Sequence, residues 1–499
     1  VDRRDPVVLA LSLTSGPFPG AVVGAGIVAL LVAIGWRDPW WRYVRLPWAL
    51  TTAAGAMVVT AAIVKLSGAI NDPFPASFYV WAGSVFLALA IAGFGWRAAP
   101  WWRRTTSIAA VPLCALMAGV LINSHYGYLP DVATAVRTAT GRPLPHQVKL
   151  GDVGAGTASQ YEGTAGSSSS SPAKAAVGQV VSLHIPATVS GFTHRDEYVY
   201  LPPAWARTPR PTLPVVVLVA GSPGAPVDSV NGLDVVKLAD LYAAQHGGMA
   251  PVLVMPDVNG SFWGDTECID GPRGKAETYL TVDVPAYVKA TFSTAAAPAQ
   301  WAISGFSEGG TCAVATAVRH PDVYGHFVDL SGDSRPSLGT EKVTLAKLFG
   351  GDKARYDDYD VAKKMASVRA PLSGWFATAT DDKAATAAAQ ALSAAATAAA
   401  IPNHLDEGRG GHNFPFWAAA YAKAWPWLLG EIGMEHGLET TMATDGGPAV
   451  STSTTSAVTT PGRTSPLTTV HRTGTTIHKP TTTVRRTTTT VHRPTTTKR

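Results

Sequence analysis

The sequence predicts two architectures in one chain: an N-terminal four-helix transmembrane region, and behind it an α/β domain with a mostly parallel sheet and helices on both faces. Three observations predict this. Four apolar stretches, roughly 18–36, 47–66, 78–96 and 106–124, each have about the length that crosses a bilayer core as a helix. From about residue 177 to 437, short apolar runs alternate with helix-length segments, the pattern of strands joined by helical crossovers. Between the two lies "GDVGAGTASQYEGTAGSSSSSPAKAA", rich in Gly and Ser and without apolar period.

The front half reads as an anchor. Buried core helices would need polar faces, which these segments lack, and a cleaved signal peptide would need a small-residue cleavage site and no further spans. Arg37, Arg42 and Arg45 lie between the first two spans and Arg97, Arg103 and Arg104 between the last two, whereas "SGAINDPFPAS" carries no positive charge. The basic loops are therefore expected in the cytoplasm and both termini outside, with Arg3 and Arg4 outweighed. Trp36, Trp40, Trp41, Trp48, Trp96, Trp101 and Trp102 gather at the same ends, where amphipathic rings meet the headgroups. No span carries an acidic residue and Lys65 can snorkel, which disfavours a transporter or sensor with an ion pathway. "INSHYGYLP" at the exit of the fourth span is an interfacial aromatic cluster or a functional lip.

Residues 131–176 are expected to be a flexible linker that lets the following domain move. Residues 438–499 turn to Thr, Pro and basic residues, with Val470, Ile477, Val484 and Val491 seven apart. One apolar position per repeat and two interrupting prolines exclude a coiled coil. The tail reads as a disordered basic arm for anionic wall polymers or Thr-linked glycans, or as a solvated spacer. Because much of the net charge of +5 sits in this tail, no basic face for nucleic acid is expected. Three cysteines lack the spacing of a metal site, and neither a metal nor a cofactor is expected.

In the α/β part, "EYVYLPP", "PTLPVVVLVAG", "PVLVMPD", "QWAISGF", "HFVDLSG" and "LSGWFATAT" read as strands. "GLDVVKLADLYAAQHG" and "AATAAAQALSAAATAAA" read as helices. On that map "ISGFSEGGTCA" places Ser307 at a strand-to-helix junction between glycines, the context of a nucleophile elbow. A serine needs a base to take its proton, and the base needs a carboxylate to hold its tautomer. Downstream, "GWFATATDDKA" offers Asp382, with Asp381 as the alternative acid, and "DEGRGGHNFPFW" offers His412 in a Gly-rich loop before a helix. His404, inside a strand, and His436, beyond the last helix, are the competing bases. The oxyanion of a tetrahedral intermediate needs backbone donors, expected from the amides of Glu308 and Ser222.

Residues 180–435 resemble the esterase D-like branch of the α/β hydrolases, which includes S-formylglutathione hydrolases, feruloyl esterases and the mycolyltransferases of actinobacterial envelopes. The resemblance rests on "YVYLPPAW", "LVAGSPG", "GFSEGG", "TDD" and "GGHNFPFW". It implies an α/β hydrolase fold with a serine nucleophile and no cofactor. In that family a Gly-x-x-Asp stretch supplies the acid. Here Ala379 replaces the glycine, which leaves Asp382 and Asp381 both open. The four-span front half is similar to that of membrane-anchored esterases of actinobacteria. So is "DVNGSFWGDTECIDGPRGKAETYLTVDVPAYV", which either shapes the acyl or alcohol pocket or is a structural loop near Cys268. An outward-facing domain stands in an oxidising setting, so Cys268 and Cys312 are either a disulfide or two buried small side chains.

The expectation is an extracytoplasmic serine esterase, held in the cell membrane, that acts on a lipid or cell-envelope ester. Two alternatives stand beside it: an acyltransferase passing the acyl group to an envelope sugar or lipid, and a non-catalytic wall-binding protein.

Overall fold

The apolar stretches of the front half each form one long helix in the computed structural model, which describes residues 11–35, 38–67, 75–96, 99–153 and 177–434. They are α1 (Pro17–Ile34), α2 (Leu46–Ser67), α3 (Ala76–Gly95) and α4 (Trp101–Tyr126), all long and apolar enough to cross a membrane. Their seam joins the small side chains Ala33, Ala49, Ala88, Ala110 and Cys114, which let helices approach closely, with the larger Trp41 and Ile91. Leu31, Val58, Leu66 and Val80 point outward, the pattern of helices that are hydrophobic all round. Of the residues that set the expected orientation, Arg3, Arg4, Trp36, Arg37 and Arg97 lie outside the described residues, as does most of the loop between α2 and α3.

The linker expected over 131–176 is corrected in its first part. Asp131 caps α5 (Val132–Thr140) by accepting the Thr134 amide at 2.7 Å, and Gly141 ends the helix with φ 63°. β1 (Gln147–Val148) then joins the main sheet. Local capping signals at both ends of a short amphipathic stretch outweigh the glycine- and serine-rich composition, which begins only after it. Residues 154–176 lie outside the described residues, as do 435–499, which hold the expected basic tail.

The sheet has nine strands in the order β1-β2-β3-β5-β4-β8-β9-β10-β11. They are β2 (Gln179–Leu183), β3 (Glu197–Leu201), β4 (Val215–Val219), β5 (Val252–Met255), β8 (Trp301–Phe306), β9 (His326–Leu330), β10 (Ser373–Ala379) and β11 (Asn403–Gly408). Only β3 runs against its neighbours, so the sheet is mostly parallel, as the alternating pattern predicts. The remaining two, β6 (Asp270–Gly271) and β7 (Gly274–Lys275), form a separate hairpin.

Along β4 the side chains alternate between two apolar layers. Val215, Val217 and Val219 face the layer that holds Cys312 and Val314 of the elbow helix; Val216 and Leu218 face the one that holds Trp417 and Tyr421 of the last helix. Cover on both faces explains the unbroken apolar run "VVVLV".

Cys268 and Cys312 form a disulfide with Cα atoms 5.4 Å apart, which answers the question the sequence left open. It ties the segment after β5 to the helix after β8. The bridge closes a loop of 44 residues, so in the chain-entropy account its reduction should cost about 4 kcal/mol. The thermal midpoint of the detergent-solubilised protein is expected to fall in dithiothreitol; an unchanged midpoint, with both thiols shown by alkylation to be free, contradicts this.

Candidate active site

β8 carries the chain up through the centre of the sheet to Ser307, and α9 (Glu308–Arg319) leaves directly after it. Ser307 adopts φ 57° and ψ −127°, a conformation that side-chain-bearing residues avoid and that aims the hydroxyl off the strand end. The flanking glycines are required by crowding. A Cβ on Gly305 would lie 2.0 Å from the Gly309 carbonyl oxygen, and one on Gly309 would lie 2.1 Å from that of Val219. The turn is held by the Ser307 amide donating to Leu330 O at 2.9 Å, and by the Gly310 amide donating to Ser307 O at 2.9 Å.

His412 stands in the loop between β11 and the last helix, α11 (Phe414–Glu431). Its Nε2 is 2.8 Å from Ser307 Oγ, although the residues are 105 positions apart. Its Nδ1 is 2.6 Å from Asp382 Oδ2. The carboxylate is itself oriented, because Asp382 caps α10 (Lys383–Ala398) and its Oδ1 accepts the Ala385 amide at 3.2 Å. Asp381 is exposed, and its amide donates to Gly410 O at 3.1 Å, which fastens the histidine loop. Among the two aspartates, the one brought to His412 is Asp382. The Trp417 ring meets the His412 ring edge-on at 4.9 Å. Of the competing bases, His404 lies on β11 against Trp375, and His436 lies outside the described residues.

The loop after β4 lies against the nucleophile: a Cβ on Gly221 would sit 2.9 Å from Ser307 Cβ and 3.4 Å from its Oγ. Ser222 follows, its hydroxyl donating to Gly264 O at 2.7 Å. Glu308 opens α9, where the first amides have no partner within the helix. Its side chain turns inward; Oε2 accepts Asn259 Nδ2 at 2.7 Å and Oε1 accepts the Glu267 amide at 3.1 Å.

Beneath the elbow lies a buried acidic group that the sequence did not single out. Burial and the Asp265 charge push the Glu308 carboxyl well above its ordinary range, and burial with the charges of Asp265, Glu308 and Asp333 does the same to Glu267. Asp265 is raised to about 6, by burial first, against the attraction of Arg273. The N-terminus of α9 turns its free amides toward the place where negative charge would develop at Ser307.

Arg195 and Asp257 were also missed. The guanidinium binds the carboxylate at 2.7 and 2.9 Å and donates to Gly224 O at 3.1 Å, so the pair braces the loop carrying Ser222. Burial alone would raise Asp257, but the bonds and charge of Arg195 hold it below its usual range. The available signal was Arg195 inside the charged run "HRDE" and the single acid of "MPDVN", which local pattern cannot pair.

His184, His194 and Glu197 bring potential metal-ligand atoms within 4.8 Å of one another. Both Glu197 oxygens are already engaged, Oε1 by His194 and the Tyr279 hydroxyl and Oε2 by the Ile185 amide at 3.0 Å. The group reads as a brace for β3.

Residues 193–428 match the family model described as Putative esterase. An uncharacterized protein of Corynebacterium glutamicum is 31% identical over 449 residues, which cover 87% of this chain and 98% of the relative. Among solved structures, a ferulic acid esterase matches 51% of this chain and 98% of its own at 18% identity and a TM-score of 0.45. An S-formylglutathione hydrolase from Agrobacterium tumefaciens matches 51% and 95% at 18% identity and 0.42. MPT51 of Mycobacterium tuberculosis matches 50% and 97% at 18% identity and 0.39.

Proposed function

The chain belongs to the esterase family, and from that premise we propose that it is a membrane-anchored serine esterase which hydrolyses a lipid or cell-envelope ester outside the cytoplasm. The observation that carries this reading is the bonded series from Ser307 through His412 to Asp382, at 2.8 and 2.6 Å.

Each residue has a role in that chemistry. Ser307 Oγ attacks the ester carbonyl while His412 Nε2 takes its proton. Asp382 keeps the imidazole in the needed tautomer and stabilises the imidazolium. The amides of Ser222 and Glu308 receive the oxyanion, an arrangement in which one donor is worth about a hundredfold to a thousandfold in rate. His412 then protonates the departing alkoxide, leaving an acyl-Ser307 ester. Water, deprotonated by the same nitrogen, releases the acid and restores the serine.

The second reading, acyl transfer to an envelope hydroxyl, draws on one feature. A cavity of about 300 Å³ follows β9 and is lined by Asp333, Ser334, Ser337, Thr344 and Tyr356 among others, a surface suited to a polar alcohol. It adjoins the elbow, since the Asp333 amide donates to Thr311 Oγ1 of α9 at 2.8 Å. The outward placement draws on the arginines at the helix ends.

A membrane-impermeant fluorophosphonate applied to intact cells is expected to label Ser307, and the protein in vesicles is expected to release free acid from a labelled envelope-lipid ester. Acylated sugar or lipid in place of acid moves the assignment to transfer. Absence of any adduct in lysed cells overturns the serine chemistry, and labelling only after lysis overturns the outward placement.

A further inference from the structure

We propose that the mouth of the Ser307 site is held against the membrane surface at a fixed height, with Trp263 as its lipid-contacting edge, so that the ester enters from the leaflet beside the anchor. This rests on the serine-esterase reading and replaces the idea of a mobile tether with a rigid mount.

The height follows from α4. Its 26 residues span about 39 Å at 1.5 Å per residue, more than the roughly 30 Å of a hydrocarbon core, so its end reaches the headgroups. No slack chain follows. Gly127 turns with φ 71°, and a Cβ there would lie 2.4 Å from Pro415 Cδ. Tyr128 packs its ring 5.6 Å from Phe414 and 6.3 Å from Phe262, and its hydroxyl bonds Asp228.

Further bonds clamp the same junction. Asn123 Nδ2 donates to Leu129 O at 2.8 Å, and the Leu129 amide donates back to Asn123 Oδ1 at 2.7 Å. The Leu13 amide donates to Pro130 O at 2.9 Å, which adds the segment entering α1. On the domain side Arg137 donates to Asn231 Oδ1 at 3.2 Å, and β1 is paired into the sheet. Two helix ends therefore hold the domain through bonded backbone.

These contacts fall on the site itself. Phe414 follows His412 by two residues and meets Phe306, the residue before Ser307, at 5.0 Å. Residues 262–264 bridge the helix end and the oxyanion loop: Phe262 touches Tyr128, Phe262 O accepts the Gly224 amide at 2.9 Å, and Gly264 O accepts the Ser222 hydroxyl. Between them Trp263 is 62% exposed and Phe262 39% exposed. A large exposed indole beside the end of an apolar helix sits where indoles are most stable, at the boundary of headgroup and acyl chain. An acyl chain leaving the leaflet there meets the loop that lies against Ser307.

The test uses full-length protein in phosphatidylcholine vesicles, with p-nitrophenyl palmitate dissolved in the bilayer and p-nitrophenyl acetate in the water. Trp263→Ser is expected to lower kcat/KM about tenfold on the palmitate and leave the acetate unchanged, with Trp263→Tyr retaining both. A second measurement does not need activity. Cys268 and Cys312 are paired and Cys114 is buried, so W263C supplies one accessible thiol for an environment-sensitive fluorophore. Quenching by a nitroxide lipid and protection from iodide are expected. Equal effects of Trp263→Ser on both esters, or a label quenched by iodide and not by the lipid, overturn the proposal. An unmodified protein inert on both esters overturns the esterase reading instead, and the label then decides the surface assignment by itself.

Discussion

A Ser307→Ala protein is expected to turn over p-nitrophenyl acetate about a millionfold more slowly than the unaltered chain, a loss of roughly 8 kcal/mol of transition-state stabilisation. The reason is that Ser307 carries the hydroxyl aligned with His412. Ser307 Oγ lies 2.8 Å from its Nε2, and the strained backbone that presents it is set by its neighbours. Alanine keeps the Cβ in the same turn, and the elbow stays closed because Gly305 and Gly309 are untouched. Circular dichroism and the thermal midpoint should therefore match the unaltered protein. Turnover within tenfold of the unaltered enzyme, with contamination excluded, overturns the assignment of Ser307 as nucleophile.

Asp382→Asn should lower kcat by about 10⁴, whereas Asp381→Asn should change it less than twofold. Asparagine keeps an oxygen to accept the Ala385 amide, so the start of α10 is preserved. What changes is the bond to His412. A carboxylate can only accept from Nδ1, which leaves Nε2 free to take the serine proton, whereas an amide can donate to Nδ1 and force the wrong tautomer. Asp381 is exposed and contributes its backbone to Gly410, which the substitution leaves intact. Measuring kcat for both variants across neutral and alkaline pH decides the matter: equal losses, or a larger one at Asp381, contradict the reading.

Much of the site was legible because its signals are local. "GFSEGG" predicts the turn at Ser307 since glycine is the one residue that tolerates backbone oxygens at about 2 Å from a Cβ position. "GGHNFPFW" places a histidine before a capped helix, and Asn413 does accept the Phe416 amide at 3.1 Å. The aspartate was legible only as a preference for Asp382 over Asp381, because adjacent residues point in different directions from one turn, and the cap at Asp382 in the structure says which faces inward. The pair Arg195 and Asp257, 62 positions apart, was invisible for a related reason. Charges on separate loops carry no period that would pair them.

The esterase family's pattern, the four apolar helices and the strands β3, β4, β5, β8, β9, β10 and β11 follow from the sequence by itself, because periodicity and turn chemistry act over a few residues and do not depend on what packs next to them. Only the tertiary structure decided that Asp382 and not Asp381 meets His412, that Cys268 and Cys312 are joined, and that residues 127–148 mount the domain on the helices when a loose tether was expected. Each of these depends on which distant segments the sheet register brings together. β1 shows the limit most clearly: two residues have no strand signal of their own, and they become a strand because the edge of β2 offers parallel backbone partners at Val180 and Val181.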